Sequence, residues 1–267
     1  MSELFPGLGE TDLDAFVAIL EAQAEGAPRL RRLLSYFARL VDMAAPKKML
    51  VVGCGPRPMT LRFLKQEGHE AIGVEPVPSF VASACEWLGA HDAVLQGAAE
   101  SIPRPDDSCD FLFFESVLEH VDSPRAALCE IHRVLAPGGA AFVVTTNRTK
   151  LRLSGYNGEY NVPFFNFFPA LVRESYVHKH LHFTPHLANH TTRPAVHWFT
   201  FGQLCRLGRD AGFAHFYSLL DLLRPQDEAV RKSVVRRLLL RPLQQNPWLR
   251  ALALTQVGGA VVMVKRR

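Results

Sequence analysis

Two glycines separated by one residue, Gly53 and Gly55, follow directly on the apolar run Met49-Leu-Val-Val52. Glycine at such a place lets the backbone turn sharply and approach a ligand that a Cβ would exclude. Glu75 ends the next apolar run, where a carboxylate can accept both hydroxyls of a ligand ribose. Together they imply a ligand built on adenosine. A dinucleotide would call for a third glycine at position 58. That residue is Pro58, which also lacks an N–H, so a pyrophosphate is poorly served.

Groups able to move a proton gather between residues 150 and 197: Tyr156, Tyr160, His178, His180, His182, His186, His190 and His197. Imidazole titrates near neutrality and suits a general base. His182, His186 and His197 are the leading candidates, and His120 joins them from Leu118-Glu-His-Val121. His178, His180 and His182 share one face only if the chain is extended there. With no cysteine or paired carboxylate beside them, no metal site is expected. The aromatic run Val162–Phe168 suits either an apolar acceptor pocket or packing beneath this segment.

Apolar spacing predicts the elements that hold these residues. Residues 11–24 and 27–45 read as helices. A strand at Lys48–Val52, a helix at Met59–Glu67, a strand at Glu70–Val74 and a helix at Ser79–Leu88 follow. Then come strands at Ala93–Gln96 and Phe111–Phe114, and a helix at Arg125–Leu135 that Pro137-Gly138-Gly139 should stop. A strand at Ala140–Thr145 precedes the aromatic and histidine-rich stretch. From Phe199 the pattern resumes with a helix, a strand at about His215–Leu222, basic helical pieces over Gln226–Arg241 and Pro247–Leu254, and a strand at Gly259–Val264. Strands alternating with helices predict a mainly parallel, doubly wound α/β sheet whose ligands lie at the strands' carboxyl ends.

The 267 residues are 48% hydrophobic and 21% charged, a globular composition that excludes wholesale disorder. The net charge of +4 is too small to argue for nucleic acid, although basic residues collect late in the chain, from Arg224 to Arg250. Five scattered cysteines without a C-x-x-C spacing read as free thiols. The first residues lack the pattern of a secretory signal, and no apolar run approaches the ~20 residues of a membrane span. A cytoplasmic protein is expected. VRKSVVRRLLLRPL has one basic and one apolar face, the pattern of a helix in peripheral contact with a membrane.

The ordered segments VVGCGPRP, GVEP, GAAESIP, CDFLFFESVLEHV, EIHRVLAPGG and FVVTTN resemble the core of the class I S-adenosylmethionine (SAM) dependent methyltransferases, over about residues 48–148. HWFTFGQLCRLGRDAGF is similar to that family's helix before its sixth strand. The resemblance implies a seven-stranded Rossmann-like sheet in a single domain. Residues 1–45 would form an N-terminal helical cap, 46–149 the SAM-binding core, 150–197 an acceptor-side insertion after the fifth strand, and 198–267 the C-terminal helices and strands.

It also implies SAM as cofactor, bound along Gly53, Cys54 and Gly55, its ribose on Glu75 and its adenine between Pro76 and the Ala99-Glu100 segment. Glu115 and Ser116 would face the methionine moiety. The chain departs from the family at Val51, Arg57 and Ala98, where acids and a third glycine are common. Arg57 could reach the SAM carboxylate or face solvent. Methyl transfer to a small-molecule, sugar or glycolipid-like acceptor, with O-methylation favoured, is the expected activity. The three departures motivate an alternative, a non-catalytic binding or scaffold protein. The place after the fourth strand reads Phe114-Glu-Ser-Val117 instead of an Asn/Asp-Pro-Pro-aromatic loop, and no Pro-Cys occurs, so a nucleic-acid acceptor is not expected.

Overall fold

The computed structural model describes residues 26–150, 160, 162–181 and 194–267. The predicted helix over 11–24, together with Tyr156, His182, His186 and His190, lies outside them.

Strand β1 (Lys48–Val52) runs in the interior of the sheet, buried in all but its first residue. Helix α1 (Gly26–Phe37) precedes it, and α2 (Met59–Gln66), β2 (Glu70–Glu75), α3 (Pro78–Leu88) and β3 (Val94–Gln96) follow. The second half contributes β4 (Cys109–Glu115), α4 (Pro124–Val134) and β5 (Leu135–Val144). After the insertion, with its short helix α5 (Ala170–Tyr176), come α6 (Phe201–Asp210) and β6 (His215–Ser218). The chain closes with α7 (Leu219–Leu222), α8 (Glu228–Arg231), α9 (Val234–Gln245), α10 (Pro247–Val257) and β7 (Ala260–Val264).

The seven strands lie in the order β3-β2-β1-β4-β5-β7-β6. β1 to β5 pair in parallel, and β7 runs antiparallel to both β5 and β6. Strand periodicity divides the apolar side chains between two cores. Leu50, Val52, Leu112, Phe114, Ala141 and Val143 face one. Met49, Val51, Phe111, Phe113, Ala140 and Phe142 face the other. Phe37 of α1 closes that second core, its ring 4.9 Å from Phe111 and 4.8 Å from Phe142. Both faces are therefore dry, as helices on both sides of a parallel sheet require.

Three boundaries differ from the sequence expectation. The apolar spacing continues past Phe37 because Leu40 and Val41 still pack on the second core, from turns instead of helix. Pro137-Gly138-Gly139 does not stop α4; the helix ends at Val134, and Leu135 already pairs with Cys109. The next paired residues are Phe111 and Ala140, so Pro137 to Gly139 form an irregularity within β5, with Gly138 at φ +80°. Beyond Ser218 the expected strand becomes α7, because the Ser218 and Asp221 side chains each accept from the other's backbone N–H.

Candidate functional site

Strand order changes direction between β1 and β4, and there a crevice opens at the carboxyl ends of the strands. It is an open cleft, lined mostly by apolar surface with a few polar groups among it, as small-molecule sites are. Gly53, Gly55, Glu75, Pro76, Ala99, Glu100, Ser116 and His120 all line it, with Phe80 and Val117 as apolar walls.

The glycines have separate physical reasons. Gly53 has φ +69°, its N–H donates to the Val74 carbonyl at 2.7 Å, and a Cβ there would fall 2.2 Å from a Val117 methyl carbon. Gly55 has φ +68°, and a Cβ there would meet nothing within 4 Å. The first glycine is thus demanded by packing, whereas the second presents bare backbone beside open space.

Glu75 is 5% exposed. The N–H groups of Gly55 and Val77 donate to its carboxylate, at 3.0 and 3.2 Å. Burial raises its pKa, and these two amides oppose the shift. An ionised Glu75 keeps further lone pairs for a ligand in the cleft.

The remaining candidates occupy varied places. Cys54 packs against β2, close to where a Cβ on Gly73 would fall. Burial, with the nearby Glu75 charge, pushes its thiol up to about 12. Arg57 is not among the lining residues; its guanidinium donates to Ser83 Oγ at 2.8 Å and to the Pro56 carbonyl, tying the glycine loop to α3. The Glu100 carboxylate accepts from the N–H groups of Asp122 and Ser123 ahead of α4. Glu115, at the tip of β4, pairs with Arg29 of α1 at 2.6 Å. Ser116 takes φ +55°, rare outside glycine, and its N–H bonds the Val144 carbonyl at 2.8 Å.

His197 stands one layer behind the cleft, its Nε2 3.0 Å from the carbonyl of the lining residue Val121. A carbonyl only accepts, so Nε2 carries the proton and Nδ1 the lone pair. Burial lowers this imidazole's pKa, and the Val121 bond works against that shift. His178 and His180 lie on the insertion, the first half-buried and the second exposed. Tyr160, Phe165 and Trp198 pack together with Val177 and Ala195 in a small core within the insertion, and Phe164, Phe167 and Phe168 are exposed.

Sequence reasoning missed the residue that joins these parts. Glu119 is 1% exposed; its carboxylate accepts from Thr145 Oγ1 at 2.7 Å, and its carbonyl accepts from the N–H groups of Val196 and His197. It thereby fastens the returning insertion to the ends of β4 and β5. An acid next to Leu118, in the short stretch between the apolar strand Cys109–Glu115 and the helix at Pro124, was the available signal.

A family profile described as a methyltransferase domain matches residues 50–143. An uncharacterised methyltransferase of Schizosaccharomyces pombe is 36% identical over 104 residues, covering 34% of this chain and 37% of that protein. A demethylmenaquinone methyltransferase of Thermus thermophilus is 33% identical over 137 residues, covering 45% of this chain and 62% of that protein. The chain thus spans less than two thirds of the length of either curated relative. Among solved structures, phosphoethanolamine N-methyltransferase 2 of Haemonchus contortus, in complex with S-adenosyl-L-methionine, superposes with a TM-score of 0.55 at 14% identity. That match covers 97% of this chain and 57% of the other, and it concerns the fold alone.

Proposed function

We propose that this chain is a class I SAM-dependent methyltransferase and that it moves a methyl group from SAM to a small-molecule acceptor. The observation that carries this reading is the bare backbone at Gly53 and Gly55 standing beside the buried Glu75, to which Gly55 N–H donates, in the lining of one cleft at the carboxyl ends of β1 and β2.

The residues present fit the cofactor. A Cβ-free turn admits a ligand against the backbone, Glu75 offers a carboxylate for ribose hydroxyls, and Pro76, Phe80 and Ala99 supply an apolar slot for an adenine. When bound, SAM supplies an electrophilic methyl on a sulfonium. The chain's task is to hold the acceptor atom in line with that methyl and keep the site dry, positioning that is worth about 7–11 kcal/mol in favourable cases. Displacement leaves S-adenosylhomocysteine and releases one proton when the acceptor is a hydroxyl or an ammonium.

For that proton the lining residue His120 and the neutral His197 are the described candidates, with His182 and His186 from the insertion beside them. O-methylation of a metabolite, a sugar or a lipid-linked glycan is the favoured chemistry. A small acceptor is supported by the name of the Thermus relative, a demethylmenaquinone methyltransferase.

Calorimetry with SAM and S-adenosylhomocysteine tests the cofactor half, and mass spectrometry of an acceptor panel, searching for one-methyl gains, tests the transfer. Both ligands should bind, and Glu75→Gln should weaken both. Absence of binding of either at millimolar concentration overturns the reading. Binding without a methyl gain in any acceptor would favour the scaffold alternative.

A further inference from the structure

Helices α9 and α10, joined through Asn246, pack on each other outside the sheet, and each leaves a row of apolar side chains exposed. On α9 Val234 and Leu238 follow each other at helical spacing, as do Val235, Leu239 and Pro242, and all are exposed, Leu238 to 69%. On α10 Trp248 is 84% and Leu252 66% exposed, one turn apart. The inward side is used: Leu240 packs on Leu220 and Val230, Gln244 donates to the Leu220 and Leu223 carbonyls, and Arg250 pairs with Asp221. Fold stability therefore does not explain the outer row.

Charge identifies the occupant. The α9 sequence VVRRLLLRPLQQ carries Arg236, Arg237 and Arg241 and no Asp or Glu. Arg237 and Arg241 border the apolar row, both exposed, and neither meets a carboxylate among the described residues. A second copy on a two-fold axis would set these arginines against their own equivalents, which like charge opposes. A nucleic acid would leave the tryptophan, leucines and valines in water. An anionic lipid surface satisfies both features, because headgroup phosphates meet arginine while Trp, Leu and Val enter the acyl boundary.

We propose that α9 and α10 dock the protein on an anionic lipid surface, with Val234, Val235, Leu238, Trp248 and Leu252 inserted and Arg237 and Arg241 on lipid phosphates. This deepens the methyltransferase reading and rests on it only for what the docking serves. The carbonyl of Thr255, in the last turn of α10, accepts from Asn147 Nδ2 at 3.0 Å and Thr149 Oγ1 at 3.2 Å, just beyond the carboxyl end of β5. These bonds tie α10 to the carboxyl end of β5, and β5 pairs with β4, whose end leads into the cleft lining at Ser116 and Val117.

The test is flotation of the full chain with phosphatidylcholine vesicles, with and without phosphatidylglycerol, in the absence of SAM and acceptor. The protein should float with the anionic vesicles at low salt, and sediment away from the neutral ones. Arg237→Gln/Arg241→Gln should weaken the partition about thirtyfold, and Leu238→Ser/Trp248→Ser should weaken it too, with the circular dichroism of both variants unchanged. No flotation with anionic vesicles, or equal flotation of the arginine variant, overturns the proposal. So does a dimer seen by light scattering that Trp248→Ser dissolves, because a second copy then covers the face. Vesicle binding and SAM calorimetry are independent readouts, so failure of docking and failure of the methyltransferase reading remain distinct.

Discussion

Thr145 donates its hydroxyl to the buried carboxylate of Glu119 at 2.7 Å, joining the end of β5 to the turn after β4. Removing the acceptor leaves a buried hydroxyl without a bond, which costs about 1–3 kcal/mol. Glu119→Ala should lower the urea midpoint accordingly. Thr145→Val/Glu119→Leu, which removes both partners, should recover part of the loss, and a double variant less stable than Glu119→Ala would show that the pair is not the source.

Gly53 and Gly55 should separate stability from affinity. Gly53→Ala places a methyl 2.2 Å from Val117 at a positive φ, and Gly55→Ala places one in open space at a similar φ. The left-handed region costs a non-glycine residue about 1–2 kcal/mol, so Gly55→Ala should unfold slightly earlier and Gly53→Ala much earlier. In calorimetry Gly55→Ala should lose SAM affinity out of proportion to its stability change. Unchanged affinity would place the ligand elsewhere.

SAM affinity should depend on pH through Glu75. Burial raises its pKa above the ordinary 4.5, so on acidification the carboxylate is lost earlier than that of an exposed glutamate. Affinity should be flat near neutrality and fall as pH drops through the raised value. Glu75→Gln should bind about ten- to a hundredfold more weakly at pH 7, the worth of charge-assisted bonds, and its affinity should no longer follow this titration. The sign for stability is opposite. The folded state holds this proton more tightly than the unfolded one, so protonating Glu75 contributes stability as pH falls.

The thiols make a chemical map. Burial pushes Cys54 and Cys109 up to about 12, and Cys129 is exposed. Because the thiolate is the reacting form, iodoacetamide at pH 8 should label Cys129 first and leave Cys54 and Cys109 intact in the native protein. Peptide mass spectrometry reads the order. Early labelling of Cys54 would mean that the glycine loop opens.

The parallel half of the fold was legible because a strand between two helical layers must be apolar on both faces, and Met49–Val52 and Phe111–Phe114 are. Glycine loop and Glu75 were legible for the same reason: each stands at the end of such a run. The partners of Arg29 and Arg57 were not, since Glu115 and Ser83 lie 86 and 26 residues away and only the folded sheet brings them near. The break at Ser218 escaped because a reciprocal side-chain cap, unlike periodicity, depends on two residues alone. His197 was legible as a candidate by its residue type; its contact with Val121, 76 residues distant, was not.

The reversed strand β7 has a consequence for how this chain could change. Ser218 and Val261 are opposite each other in neighbouring antiparallel strands. Residues 219–259 therefore leave and rejoin the sheet at adjacent points, like a page clipped into a binder by one edge. Insertions and exchanges are best tolerated where the two ends of a segment lie close together. That whole excursion could be swapped for a tight hairpin, or for another organism's version, while the glycine loop and Glu75 stay where they are.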